Sequence, residues 1–192
     1  PFMNNSLVSF SFDEGGGDFG IFPYEDWRDI REVIYGQTVD NDNHELVPIK
    51  GHGALYKKGV SGTALAFDGY YTGVITDREI PNKSSFSVEG WIALDAYPFN
   101  EAPIIHKSSQ FGKKGFYLGI DAYGHPFITI NGTKIEADLI LPLYTWYHIA
   151  ATVNQNTMKL YVDGQEVATA TFEGTVDWMG LPLMVGINNS KK

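Results

Sequence analysis

The chain has 192 residues, no cysteine, 43% apolar side chains and a formal net charge of −9. The length suits one domain with its own core, and the missing thiols exclude disulfides, iron–sulfur clusters and thiolate zinc sites. The charge opposes nucleic-acid phosphates, and no apolar run reaches the roughly 18 residues that a membrane-spanning helix needs.

Residues 7–12, Leu-Val-Ser-Phe-Ser-Phe, predict a first strand, and Gly15, Gly16 and Gly17 follow it as a flexible turn. Over residues 23–35, Trp27, Ile30 and Ile34 share one face of a short amphipathic helix; Pro23 suits its first turn and Gly36 the position after its end. The acidity is concentrated here, because residues 1–45 hold ten acids against Arg28 and Arg31. From about residue 60 onward the pattern is strand, turn, strand. Phe86, Val88, Gly90, Ile92 and Leu94 alternate with Ser87, Glu89, Trp91 and Ala93, the period-2 pattern of a half-buried strand. Asp121-Ala-Tyr-Gly124 joins a strand over residues 115–120 to one over 127–130, and Asn131-Gly132 turns that strand back. Tyr147, Ile149, Ala151 and Val153 share a face; Met158, Leu160 and Val162 follow; Asp163-Gly164 supplies the positive φ angles of a tight hairpin, and residues 166–170 return. Short strands at this spacing predict an all-β, two-sheet antiparallel sandwich over residues 1–192, a single domain with one short N-terminal helix. The first residues, Pro1 to Ser6, hold neither an initiator methionine nor a signal pattern, so the segment reads as cut from a longer protein.

Several segments together resemble the laminin-G-like jelly roll of the concanavalin A-like lectin and glucanase superfamily. They are the opening strand with Asp13-Glu14-Gly15, Gly59-Val-Ser-Gly-Thr-Ala-Leu-Ala-Phe-Asp-Gly69, Ser85-Phe-Ser-Val-Glu-Gly-Trp91 and Ile104-Ile-His-Lys107. Trp146-Tyr-His-Ile-Ala150, Leu160-Tyr-Val-Asp-Gly164 and Leu183-Met-Val-Gly-Ile187 complete the order. The resemblance implies a jelly-roll sandwich and assigns Trp91 and Trp146 to its core. It also implies a closing strand after residue 187, which the segment, stopping at Lys192, leaves out or lacks. Glucanases of this fold use an E-x-D-x-x-E strand to place carboxylates on one face. Here Glu136-Ala-Asp138 lacks the third acid, and Glu89 and Asp121 stand isolated in sequence. The paired-calcium loop of the pentraxins would fall near residues 108–114, which hold no acid.

The remaining candidates are read from the residues themselves. Calcium wants six to eight oxygen ligands, and Asp40-Asn41-Asp42-Asn43 offers four oxygen-bearing side chains, with Asp40 and Asp42 the metal candidates for a structural ion. The same residues suit still better a turn whose side chains bond their own backbone. None of the five histidines falls in a metal-ligand spacing. A sugar ring lays its C–H face on an exposed aromatic ring while polar groups fix its hydroxyls. Loop aromatics are Tyr70, Tyr71, Tyr97, Phe99, Tyr123, Tyr144 and Trp178. Tyr70, Tyr71 and Trp178 are the carbohydrate-binding candidates, because each lies in a loop beside glycine. What the resemblance implies, together with the loop aromatics, favours a non-catalytic, lectin-like module of a secreted or surface protein that degrades or adheres to polysaccharide, in an extracellular, cell-surface or periplasmic setting. The alternative is an interaction domain packing against a neighbouring catalytic domain of the same parent chain, with no ligand of its own.

Overall fold

The computed structural model describes residues 7–12, 34–50, 55–69, 71–109 and 112–188, almost wholly as β-strands and turns. Among these residues no helix is long and apolar enough to cross a membrane. The backbone divides into two compact units, Pro1–Thr76 and Asp77–Lys192.

In the first unit, β1 (Ile34–Asp40), β2 (Glu45–Lys50) and β5 (Gly73–Thr76) form an antiparallel ladder, while β3 (Leu55–Lys58) and β4 (Thr63–Ala66) form a hairpin. Ile49 and Val74 pair across the ladder and are fully buried. Residues 7–12 do not form the predicted strand. They run beside the sheet on single bonds: Asn41 donates its amide to Ser9 O, and Thr63 donates its hydroxyl to Phe12 O. Phe12 sits at φ +55, which ends any extended run there. The body of the predicted helix lies outside the described residues, and its last two positions, Ile34 and Tyr35, open β1 instead. Ile34, Tyr35, Thr38 and Val39 are β-branched or aromatic, which suits a pleated strand better than a helix end.

The second unit is a sandwich. One sheet has the order β13 (Gln165–Thr171), β12 (Thr157–Val162), β11 (Trp146–Asn154), β6 (Ser85–Ala93). The other runs β14 (Leu183–Val185), β7 (Ala102–Ser108), β8 (Gly115–Ile120), β9 (Pro126–Ile130), β10 (Thr133–Glu136). These ladders are antiparallel, both those joined by hairpins and the β6–β11 and β7–β14 pairs. Asn131 and Gly132 (φ +48 and +82) and Asp163 and Gly164 (φ +48 and +77) make the two predicted tight hairpins. The inner faces bury Val88, Ile149, Ala151, Val153, Met158 and Leu160 against Phe116, Leu118, Ile128 and Ile130. Phe86 of one sheet and Phe116 of the other approach to 5.5 Å between ring centroids. On the opposite face of β8 and β9, Tyr117 stacks on Phe127 at 5.6 Å. A Cβ at the intervening Gly119 would come within 2.7 Å of the Tyr117 ring.

Trp91 departs from the role that the family motif gives it. Its ring is 52% exposed and lies 5.2 Å from the His148 imidazole on the outer face of β6 and β11. The alternation of β6 had set Trp91 with Ser87 and Glu89, opposite Val88, and that two-residue period controls where the ring points. In the core, Phe116→Ala should cost about 3–5 kcal/mol, read from chemical denaturation; a loss below about 1 kcal/mol would contradict the packing described.

Candidate functional site

Strand register brings three connections to one end of the sandwich. Ala102 opposes Ile120, Ile120 opposes Pro126, Phe127 opposes Glu136, and Ala93 opposes Trp146. The loops 94–101, 121–125 and 137–145 therefore emerge together. Hydrogen bonds stitch them: Leu141 donates its amide to Gly124 O at 2.9 Å, Tyr144 to Leu94 O at 2.8 Å, and the Tyr97 hydroxyl to Leu141 O at 3.0 Å. Gly124 is required here. Its φ is +93, and a Cβ would lie 2.4 Å from the Tyr97 ring and 3.2 Å from Ile140. The result is an apolar, ring-bearing rim in which Tyr123 is 71% exposed and Tyr144 76%, with Tyr97, Phe99 and Ile140 also exposed. Tyr144 holds φ +60, an uncommon conformation for so bulky a residue, and such strain clusters at binding sites.

Polar groups stand beside the rings. Asp121 Oδ1 accepts the amides of Tyr123 and His125 at 2.9 and 2.7 Å, and Oδ2 meets His125 Nδ1 at 3.0 Å. The His125 ring lies 6.4 Å from that of Tyr123. Burial works against the ionised Asp121, but the imidazole and the two amides outweigh it and hold the carboxyl below its ordinary range. The same hydrogen bond to the Asp121 carboxylate raises the His125 imidazole, with Glu136 and Asp138 adding to the effect. Asp121, His125 and Glu136 place ligand atoms within 4.8 Å of one another. Glu136 also pairs with Lys134 at 2.9 Å, and Lys134 bridges to Glu101 at 2.8 Å while capping the Phe127 ring at 4.0 Å. The rim thus carries hydroxyl-bonding groups of both signs within reach of exposed rings.

The residues singled out by sequence fall elsewhere. Tyr70 lies outside the described residues, and Tyr71 is exposed in the first unit, its amide donated to Asp68 Oδ1 at 2.8 Å. Trp178 is 2% exposed. It wedges against Phe86 at 4.8 Å and Phe116 at 5.7 Å, and its indole donates to Ile80 O at 2.8 Å. Its ring is spent on the core, so it offers no face to a sugar; large area and one satisfied polar tip make it a pillar. Asp40 is buried at the end of β1, with Oδ1 accepting the amides of Asp42 at 3.1 Å and Ser9 at 3.3 Å. Asn43 Oδ1 accepts the Glu45 amide at 3.0 Å. That is the geometry of a turn bonding its own backbone. Among the described residues Asp40 and Asp42 belong to no group of three convergent ligands.

Two measurements check this account. Trp178→Ala should lower the unfolding free energy by about 3–5 kcal/mol, whereas Tyr123→Ala should stay within about 0.5 kcal/mol of the parent. In an NMR titration the His125 imidazole should show a midpoint above 6.5 that falls back in Asp121→Asn. Because folding raises this midpoint, the contact stabilises fully below pH 6.5 and that contribution is lost as pH rises through the raised value. A midpoint at or below 6.5 would contradict the contact.

Comparison with known proteins adds the family. Residues 68–192 match the model of the concanavalin A-like lectin/glucanases superfamily. No curated protein matches the sequence. Domain 4 of an extracellular arabinanase from Geobacillus stearothermophilus, solved with arabinotriose, is similar at 17% identity and TM-score 0.56, over 72% of this chain and 68% of that one. A Trypanosoma rangeli sialidase is similar at 15% identity and TM-score 0.56, over 83% of this chain. A Bacteroides ovatus structure shows 22% identity and TM-score 0.47 over 58% of this chain. The chain spans only 26% of the sialidase and 33% of the Bacteroides protein. With its sandwich and its matched 68–192 segment, the chain belongs to the concanavalin A-like lectin/glucanase superfamily.

Proposed function

We propose that this chain is a non-catalytic carbohydrate-binding module whose glycan lies across the loop end carrying Tyr97, Tyr123 and Tyr144. The observation that carries the reading is the convergence there of exposed rings from three loops, beside Asp121, His125 and Glu136. Flat apolar rings accept sugar C–H faces, and a few fixed polar groups select the hydroxyls. Asp121 is held in its ionised form by two amides and an imidazole, which suits a hydrogen-bond acceptor better than a proton donor. The arabinanase domain solved with arabinotriose has the same fold, which supports an accessory role in an extracellular, surface or periplasmic protein acting on polysaccharide.

A second reading, an interaction domain resting on a neighbouring catalytic domain, is favoured by Trp91, whose ring is exposed on the outer sheet face of β6 and β11. The two part on a glycan array followed by titration calorimetry. The binding module predicts a specific hit whose affinity falls about tenfold or more in the double variant Tyr123→Ala with Tyr144→Ala, with the melting temperature unchanged. A hit that the double variant retains, or a blank array, would overturn the loop-end assignment, and the blank would favour the packing domain.

A further inference from the structure

A second feature of the sandwich is chemically unusual. Lys107 on β7 is only 3% exposed, although lysine is almost never fully buried unless paired. Its ammonium donates to Leu181 O, and an ammonium has three N–H donors to place. Beside it lies a cavity of about 210 Å³, lined by Lys107, Asp77, Glu79, Ile80, Met179 and Pro182 among others. Burial drives the Lys107 ammonium below its ordinary range, and Glu79 and then Asp77 pull it partly back.

The cavity walls are preformed. Its two strips, 77–82 and 177–182, are tied through Trp178. The indole donates to Ile80 O at 2.8 Å, the Trp178 amide donates to Asn82 Oδ1 at 3.1 Å, and Leu181 donates its amide to Trp178 O at 3.1 Å. Asn82 Nδ2 donates to Asp177 Oδ1 at 2.9 Å, and Lys114 pairs with Asp177 at 2.7 Å. An occupant therefore need not organise the walls, and preorganisation of this kind lowers the cost of binding.

Charge and size define the occupant. An anion would meet Lys107 but be opposed by two carboxylates, and a cation would meet the carboxylates but be opposed by the ammonium. A neutral polyhydroxylated ring satisfies both, accepting from Lys107 through one oxygen and donating hydroxyl protons to Asp77 or Glu79. Ile80, Met179 and Pro182 offer apolar surface to its C–H edges. The volume corresponds to on the order of seven waters, enough for one sugar ring. We infer that the Lys107 cavity is a second subsite, distinct from the loop end, that takes a single neutral sugar unit. The inference rests on the carbohydrate-binding reading proposed for the loop end.

The test is an amide NMR titration of the whole chain with glucose, galactose, mannose, arabinose and xylose, and with glucuronate and glucosamine as charged counterparts. At least one neutral sugar should shift the Met179, Gly180 and Leu181 amides. Those shifts should vanish in Lys107→Met, which removes the ammonium without leaving a buried charge, and persist in Tyr123→Ala with Tyr144→Ala. The rim variants Asp77→Asn and Glu79→Gln, both at exposed positions, should fold normally and weaken the same shifts about tenfold together; they keep the test decisive if Lys107→Met fails to fold. Shifts confined to the amides of Tyr97, Tyr123 and Tyr144 in the parent chain would overturn the subsite and leave the loop-end reading standing. Tighter binding of glucuronate or glucosamine than of every neutral sugar would overturn the neutral-ring assignment. No shift anywhere from any sugar would overturn the subsite, and a blank glycan array beside it would take the loop-end reading too.

Discussion

The second unit depends on the wedge of Trp178 between Phe86 and Phe116. One ring comes from each sheet and the third from the connection that precedes β14, with centroids 4.8 to 5.7 Å apart. An edge-on indole between two phenyl rings fills a gap that aliphatic side chains would leave partly void, and voids in a close-packed interior are costly. The same indole has its N–H satisfied by Ile80 O, so burial strands no polar atom. From this junction the consequences run outward. Trp178 fixes residues 177–182, residue 181 supplies the carbonyl that accepts from Lys107, and residues 77–82 are held as the facing strip of the cavity. A packing constraint in the core thus sets the geometry of the polar cavity beside Lys107.

The loop end is organised by different physics. No large ring wedge holds it; backbone bonds and one obligatory glycine do. Tyr97 can lie across Gly124 only because that residue has no Cβ, and the Tyr97 hydroxyl then reaches Leu141 O. Asp121 ties its own turn through two amides and the imidazole of His125, so the turn's geometry and its charge state are coupled. Loops carried on a rigid sandwich are where binding groups concentrate, since the scaffold fixes the ends while the surface stays free to differ.

The legible part of the fold was the part governed by local rules. Asn131-Gly132 and Asp163-Gly164 specify their turns because both central positions need positive φ, and the structure uses all four residues that way. The alternation of β6 correctly set Trp91 among Ser87 and Glu89, and the family motif misled where it overrode that period. Trp178 failed as a surface ring because adjacency to Gly180 says a loop is near, while burial is decided by Phe86 and Phe116, more than 60 residues away in the chain. Asp121, His125 and Glu136 meet only through the register of β8, β9 and β10; spacing alone leaves Asp121 and Glu136 looking unrelated. Ile34 fitted a helical face by periodicity yet pairs with Lys50 in β1, where a ladder partner outweighs a weak local preference. Lys107 gave no signal at all, since a lysine in a strand ordinarily faces water.

The most direct test of the central claim is a crystal structure of the chain with the oligosaccharide selected by the array. The account predicts a sugar ring in van der Waals contact with Tyr123 or Tyr144 and a hydroxyl within hydrogen-bond distance of His125, Glu136 or Asp121. An oligosaccharide seated instead on the Trp91 and His148 face, with the loop end empty, would contradict it.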